Sequence, residues 1–239
     1  RWSVAHRAGA TPECSMLELR IDGVAAGHPV LGLIHVQVRG GDRICLLGPS
    51  GVGKTTLLNA IAGLDPRLAP MIRLQSGRRV GYLFQEHRLL PWYSVRQNLK
   101  LVGAEAGDID RLLADVGLGD AGDRLPDQLS LGMARRASLA RCLAVKPDLL
   151  LLDEPFASLD PDRAAELREL IVRLLEGQPQ MALICVTHDA RDADQLANRL
   201  WYMNGQPATL RWDRPLTDGT NASQICDTLR SLNAQPAAS

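Results

Sequence analysis

The chain has 239 residues, 46% of them hydrophobic and 23% charged, with 27 basic and 27 acidic residues for a formal net charge of zero. A chain of this size forms about one to two domains with a core of its own, and this composition excludes a disordered chain. The neutral balance argues against nonspecific grip on nucleic acid, which needs a basic face.

No apolar run approaches the roughly 20 residues of a membrane-spanning helix. Residues 1–15 are polar and read as a loose segment, without the apolar core of a secretory signal. From Leu17 to Ile21, and again over 33–38 (LIHVQV), apolar residues alternate as in half-buried strands. The run 43–47 (RICLL) is a short buried strand ending at Gly48, and 54–62 reads as a helix stopped by Gly63. A connecting region over 64–79 leads to a strand at 80–84 (VGYLF), and helical spacing runs over 95–118 and 130–145.

The runs 149–152 (LLLL) and 181–186 (MALICV) predict buried strands. Between them lies a helix with Leu167, Leu170, Ile171, Leu174 and Leu175 on one face, and Asp160 and Pro161 suit its N-cap and first turn. Strands alternating with helices predict an α/β fold with a mostly parallel sheet. Beyond Asn204 the chain is polar and carries little pattern.

Cysteines 14, 45, 142, 185 and 226 lie far apart with no CxxC pair, which points to a reducing compartment. Cys45 and Cys185 sit inside apolar strands and read as small core residues. Only Lys54, Lys100 and Lys146 are lysine; the other 24 basic residues are arginine. The excess reads as codon bias rather than recognition.

Residues 48–56 read GPSGVGKTT: Gly48, Pro49, Ser50, Gly51, Val52, Gly53, Lys54, Thr55 and Thr56. This fits G-x-x-x-x-G-K-[ST] between a strand and a helix. The glycines let the backbone wrap close to phosphates, and successive N–H groups and the helix N-terminus face the anion. Lys54 is placed to reach the β- and γ-phosphates and Thr55 to hold Mg²⁺. Without its flanks the same string would be a glycine turn capping a helix.

Residues 149–155 read LLLLDEP. Two carboxylates ending an apolar run are costly unless they meet metal or water. Asp153 fits a Mg²⁺-site residue and Glu154 the group that polarises an attacking water. A helix-start Asp/Glu pair at a positive dipole end is the structural alternative.

Three further elements follow in order: Gln85 after VGYLF, LSLGMARRASLAR over 129–141, and His188 in THDA after MALICV. Together with the phosphate loop and the carboxylate pair they resemble the ATP-binding subunit of an ABC transporter, from about Leu17 to Asn204. The resemblance implies a P-loop NTPase-like core with a small antiparallel β arm and a short helical subdomain at about 90–145. The ATPase domain would span 16–204, with 205–239 as a polar tail.

It also implies ATP and Mg²⁺ as ligands, and roles residue by residue. Lys54 and Thr55 are the phosphate-loop pair, Asp153 the Mg²⁺ residue and Glu154 the catalytic base. Gln85 senses Mg²⁺ and lytic water and couples to the membrane partner. Ser130 and Gly132 contact the γ-phosphate bound on the opposite subunit, Asp160 communicates across the dimer, and His188 is the switch histidine. Taken singly, Ser130 and Asp160 are equally good helix caps and Gln85 an ordinary loop residue.

The chain departs from the family twice. Leu131 stands where the L-S-G-G-Q signature has glycine, and a side chain there could crowd the approach of backbone to phosphate. The adenine-stacking aromatic falls near Ala25, yet 17–31 holds no aromatic; His28 is the candidate replacement.

Residues 84–99 (FQEHRLLPWYSVRQNL) resemble cassettes of nitrate, sulfonate and taurine importers. In that family the permease docks next to Gln85, which makes Leu89–Tyr93 the expected contact, with Trp92 and Tyr93 as anchors. Core packing is the other use for such a cluster. The implied partners are a membrane permease, a second copy forming an ATP-sandwich dimer, and a solute-binding protein, with no nucleic acid. The implied place is the cytoplasmic face of the membrane. Thiamine-precursor and lipid systems, or an ABC ATPase without a transport role, are the alternatives.

Overall fold

The computed structural model describes residues 15–23, 27, 30–216 and 221–225. The expectations for residues 1–14, Ala25 and His28 fall outside them. A six-stranded sheet runs in the order β5 (Val80–Leu83), β6 (Leu149–Asp153), β7 (Ala182–Val186), β3 (Arg43–Leu47), β8 (Arg199–Asn204) and β9 (Thr209–Pro215). Its first five strands are parallel and β9 pairs antiparallel with β8. A smaller antiparallel sheet orders β2 (Leu33–Val38), β1 (Leu17–Asp22) and β4 (Ile72–Leu74). This is a P-loop NTPase-like core with an antiparallel arm.

The strands of the main sheet are apolar on both faces because both faces are covered. In β6, Leu150 and Leu152 enter one core, with α4 (Leu131–Ala144), α5 (Pro161–Glu176) and α6 (Ala190–Leu196); Leu149 and Leu151 enter the other, with α1 (Lys54–Ile61) and the small sheet. Period-two alternation within one apolar run is what a doubly covered parallel strand requires. Leu167, Leu170, Ile171 and Leu175 of α5 are buried as the helical spacing predicts, with Leu174 packed at the edge of the same core. Cys45 and Cys185 are fully buried register partners of β3 and β7.

Three stretches differ from the sequence reading. The helical spacing over 95–118 is interrupted: α2 (Val95–Lys100) and α3 (Ala106–Asp115) are separated by a turn in which Gly103 takes φ 90°, a conformation that ends a helix. Residues 64–79 contain β4, too short to show a period. The polar stretch after Asn204 contains β9, an edge strand, half exposed and therefore without an apolar run. Asp213 of β9 accepts from Arg199 Nε at 2.7 Å and Trp201 Nε1 at 3.0 Å, so a polar residue ties this edge to the core.

Lys146, given no role by sequence, pairs with Asp108 at 2.9 Å and joins α3 to the end of α4. Among the described residues no helix is long and apolar enough to cross a membrane.

Candidate functional site

The carboxyl ends of β3, β5, β6 and β7 converge, the place where open parallel sheets bind ligands. After β3 the chain enters the 48–53 loop. Gly48 (φ 154°) leaves no room for a Cβ, which would lie 2.3 Å from the Met203 carbonyl. Gly53 takes φ 114° as N-cap of α1.

Helices α2, α4, α5 and α6 are capped by Ser94, Ser130, Asp160 and Asp189, each accepting a backbone N–H. Helix α1 has neither a side-chain cap nor an acidic residue in its first turn. Its free N–H groups and positive dipole end therefore face an anion site.

Lys54 is 6% exposed, and its ammonium donates to the carbonyls of Gly48 at 3.0 Å and Pro49 at 2.9 Å. Burial lowers its proton affinity, and the charges of Glu154 and Asp153 oppose that shift. Thr55 Oγ1 donates to Asp153 Oδ1 at 3.1 Å, bridging α1 to the end of β6. Asp153 is 2% exposed, and burial raises its carboxyl above the usual range despite the Thr55 hydrogen bond. Among the described residues no cluster of three or more His, Cys, Asp or Glu side chains is poised for a metal. A hydroxyl and a carboxylate beside a phosphate loop are hard oxygen donors, the minimal set Mg²⁺ takes from a protein when phosphate and water supply the rest.

Glu154 lies in a turn after β6, not at a helix start, and takes φ 47°. This strained conformation is held by its N–H, which donates to Val186 O at 3.0 Å. Its Oε2 lies 3.8 Å from Nδ1 of the exposed His188. A cavity of about 390 Å³ is lined by both residues and by Phe156, Arg168, Thr187 and Asp192.

Beneath His188 runs a chain that sequence reading missed. Arg168 Nε donates to the buried Asp192 at 2.8 Å, Thr187 Oγ1 donates to the other Asp192 oxygen, and Asp189 N donates to Thr187 Oγ1 at 3.1 Å. The turn bearing His188 is thus anchored on both sides. Asp192 to Asn should loosen it without touching the phosphate loop: kcat falls while ATP affinity holds, and a shared loss of both in a titration would contradict this.

Gln85 is exposed at the end of β5. Ser130 caps α4, with Oγ accepting from Met133 N at 3.3 Å, and Leu131 is 45% exposed in the first turn. Gly132 lines a second cavity with Arg136, Leu159, Arg163 and Glu166. Asp160 caps α5 and pairs with Arg163 at 3.0 Å. The structure thus gathers Lys54, Thr55, Asp153, Glu154 and His188 at one locus. Gly132 and Asp160 form another, joined through Arg163.

In the Leu89–Tyr93 cluster, Leu89 is buried and Trp92 is 69% exposed. Asn98, 1% exposed, accepts from Leu90 N at 2.8 Å, and its amide donates to the carbonyls of Leu90, Tyr93 and Ser94. Trp92 thus stands on a turn that Asn98 holds. Asn98 to Ala leaves several backbone groups unpaired and is expected to cost about 2 kcal/mol. Chemical denaturation measures it, and an unchanged midpoint would contradict the assignment.

An uncapped helix after a glycine loop, a lysine beneath that loop and a carboxylate pair at the adjoining strand end define a P-loop nucleoside triphosphatase. The fold is similar to that of the ATP-binding cassette MJ0796, solved as a dimer in a post-hydrolysis state with ADP and Pi (TM-score 0.65, 24% identity, 78% of this chain and 90% of that one). It is also similar to cbiO1 from Clostridium perfringens, part of the ABC transporter complex cbiONQ (TM-score 0.69, 22% identity, 92% and 95%).

The ABC transporter family model matches residues 31–157. An aliphatic sulfonates import ATP-binding protein of Burkholderia cenocepacia is 41% identical over 86% of this chain and 79% of its own length. A protein of the same description from Pseudomonas syringae pv. syringae is 36% identical over 92% and 94%. The chain belongs to the ABC transporter family, as an ATP-hydrolysing, nucleotide-binding subunit.

Proposed function

We propose that this subunit powers uptake of a small organic sulfonate or similar anion through a separate permease, from the cytoplasmic face of the membrane. The Thr55–Asp153 hydrogen bond, which joins phosphate loop and carboxylate pair, carries the ATPase half of this reading. The relatives, described as aliphatic sulfonate import proteins, support the solute class.

Lys54 and the first N–H groups of α1 hold the phosphates. Thr55 and Asp153 would hold Mg²⁺, which would supply charge neutralisation at the phosphates. Glu154 orients the attacking water and takes its proton, and His188 lies beside it against the γ-phosphate. Gln85 senses this state.

Ser130 and Gly132 serve the nucleotide of a second copy, and Asp160 contacts that copy. Ser130 lies at an exposed helix start and Gly132 lines a cavity distinct from that of Glu154 and His188, as a site completed by a second chain requires. The permease docks around Gln85 and Leu89–Tyr93, where Trp92 is a rigid aromatic anchor.

Uptake of a labelled alkanesulfonate into proteoliposomes holding this chain, its permease and the solute-binding protein tests the reading. ATP-dependent uptake supports it; ATPase activity without sulfonate uptake would sink the solute assignment. Leu131 crowds the face that approaches the second nucleotide, so Leu131 to Gly should raise kcat about fivefold, equivalent to roughly 1 kcal/mol. An unchanged steady-state rate would show that the leucine is tolerated there.

A further inference from the structure

Three side chains on one face of α4 reach across to the loop that carries Gln85. Arg135 Nη1 donates to the carbonyl of Phe84 at 3.2 Å and also to that of Gln85. Ser138 Oγ donates to His87 O at 2.7 Å. Arg141 donates to Arg88 O at 2.7 Å and His87 O at 3.2 Å. Positions 135, 138 and 141 recur at helical spacing, so one face of one helix holds four carbonyls of an irregular segment.

Arg135 is 4% exposed, and its Nη1 meets carbonyls rather than a carboxylate. Its Nε has no hydrogen-bond partner among the described residues. A buried cation of this kind is costly, and an apolar side chain would fill the same place. What the guanidinium adds is a fixed distance between α4 and Gln85.

Ser130, the N-cap of helix α4, lies five residues earlier in the sequence, and a helical turn and a half is rigid over that length. Beyond the loop, Asn98 ties Leu90, Tyr93 and Ser94 together, so the chain of bonds continues to Trp92.

We infer that Arg135 is a positioning residue, a strut that makes the Ser130 segment and the Gln85 loop move as one body. The permease face of one chain thereby reports on the nucleotide held by the other chain's phosphate loop. Coupling through a packed element of this kind is a physical claim with a direct test. The inference rests on the two-chain site proposed above.

The experiment is amide-hydrogen exchange on the full chain in the Glu154→Gln background, with and without Mg·ATP. Nucleotide is expected to slow exchange in peptides covering 85–90 and 130–134 together. Adding Arg135→Met should keep the slowing at 130–134 and abolish it at 85–90, while Arg135→Lys, which retains a donor, restores it. Because each variant is compared with itself without ATP, a merely structural loosening would not produce this split.

Equal slowing at 85–90 with and without Arg135→Met overturns the strut alone. Absence of ATP protection at the phosphate loop and at 130–134 in the unsubstituted background overturns the functional reading and the strut with it. If Arg135→Met does not fold, Arg135→Gln, whose shorter amide cannot span both the Phe84 and Gln85 carbonyls, takes its place. That variant should weaken the response at 85–90 at least twofold while 130–134 stays protected, and an undiminished response counts against the strut.

Discussion

Replacing Glu154 with glutamine is expected to reduce ATP turnover by about 10²–10⁴-fold, the range for loss of a positioned general base. ATP affinity is expected to hold within about threefold, because the proposed grip on the phosphates comes from Lys54 and α1 rather than from Glu154. The geometry supports this separation. Glu154 is held at φ 47° by its N–H bond to Val186 O, a main-chain contact that glutamine keeps. Only the proton acceptor is lost. With turnover blocked, Mg·ATP should accumulate a dimer, visible as doubled mass by light scattering. Turnover near the unsubstituted rate would remove Glu154 from its role.

Replacement of Lys54 should have an effect of similar size on a different step. Lys54→Ala removes the ammonium beneath the loop, and kcat/KM for ATP should fall about 10³-fold, equivalent to roughly 4 kcal/mol. Lys54→Arg is the more informative variant. The ammonium fits between the Gly48 and Pro49 carbonyls at 3.0 and 2.9 Å in a site 6% exposed. A planar guanidinium needs more width and a different fan of donors. In a chain otherwise rich in arginine, we propose that lysine is kept at this position by geometry. Arginine retaining more than a tenth of kcat/KM would contradict this.

The parts of the site that were legible in sequence are those where chemistry and strand pattern coincide. GPSGVGKTT follows an apolar strand and Asp153 and Glu154 end another, so their meeting at one sheet edge followed from a parallel fold. The caps Ser130 and Asp160 were readable because an N-cap is a local device. The break before α3 was hidden because 95–118 keeps helical spacing through a turn opened by Gly103. Strands β4 and β9 are short or half exposed and show no period.

The buried polar links were out of reach for another reason. Arg135 and Gln85 lie 50 residues apart, and Arg168 and Asp192 lie 24 apart. Nothing in local composition distinguishes these arginines from the others. Asn98, which sets the pose of Trp92, is one polar residue in a short helix, and its burial is visible only in the fold.

The central claim, that each ATP site is built from two chains, is tested most directly by mixing two inactive variants. Lys54→Ala disables the phosphate loop. Gly132→Asp disables the signature segment, and a Cβ there meets only Arg163, at 3.6 Å and beyond, so the fold tolerates it. A mixed dimer holds one intact site only if the site spans both chains. Equal mixing should therefore restore about a quarter of the unsubstituted ATPase rate, since half the two-fold dimers are mixed and each has one working site. A mixture as inactive as its two components would contradict the shared site.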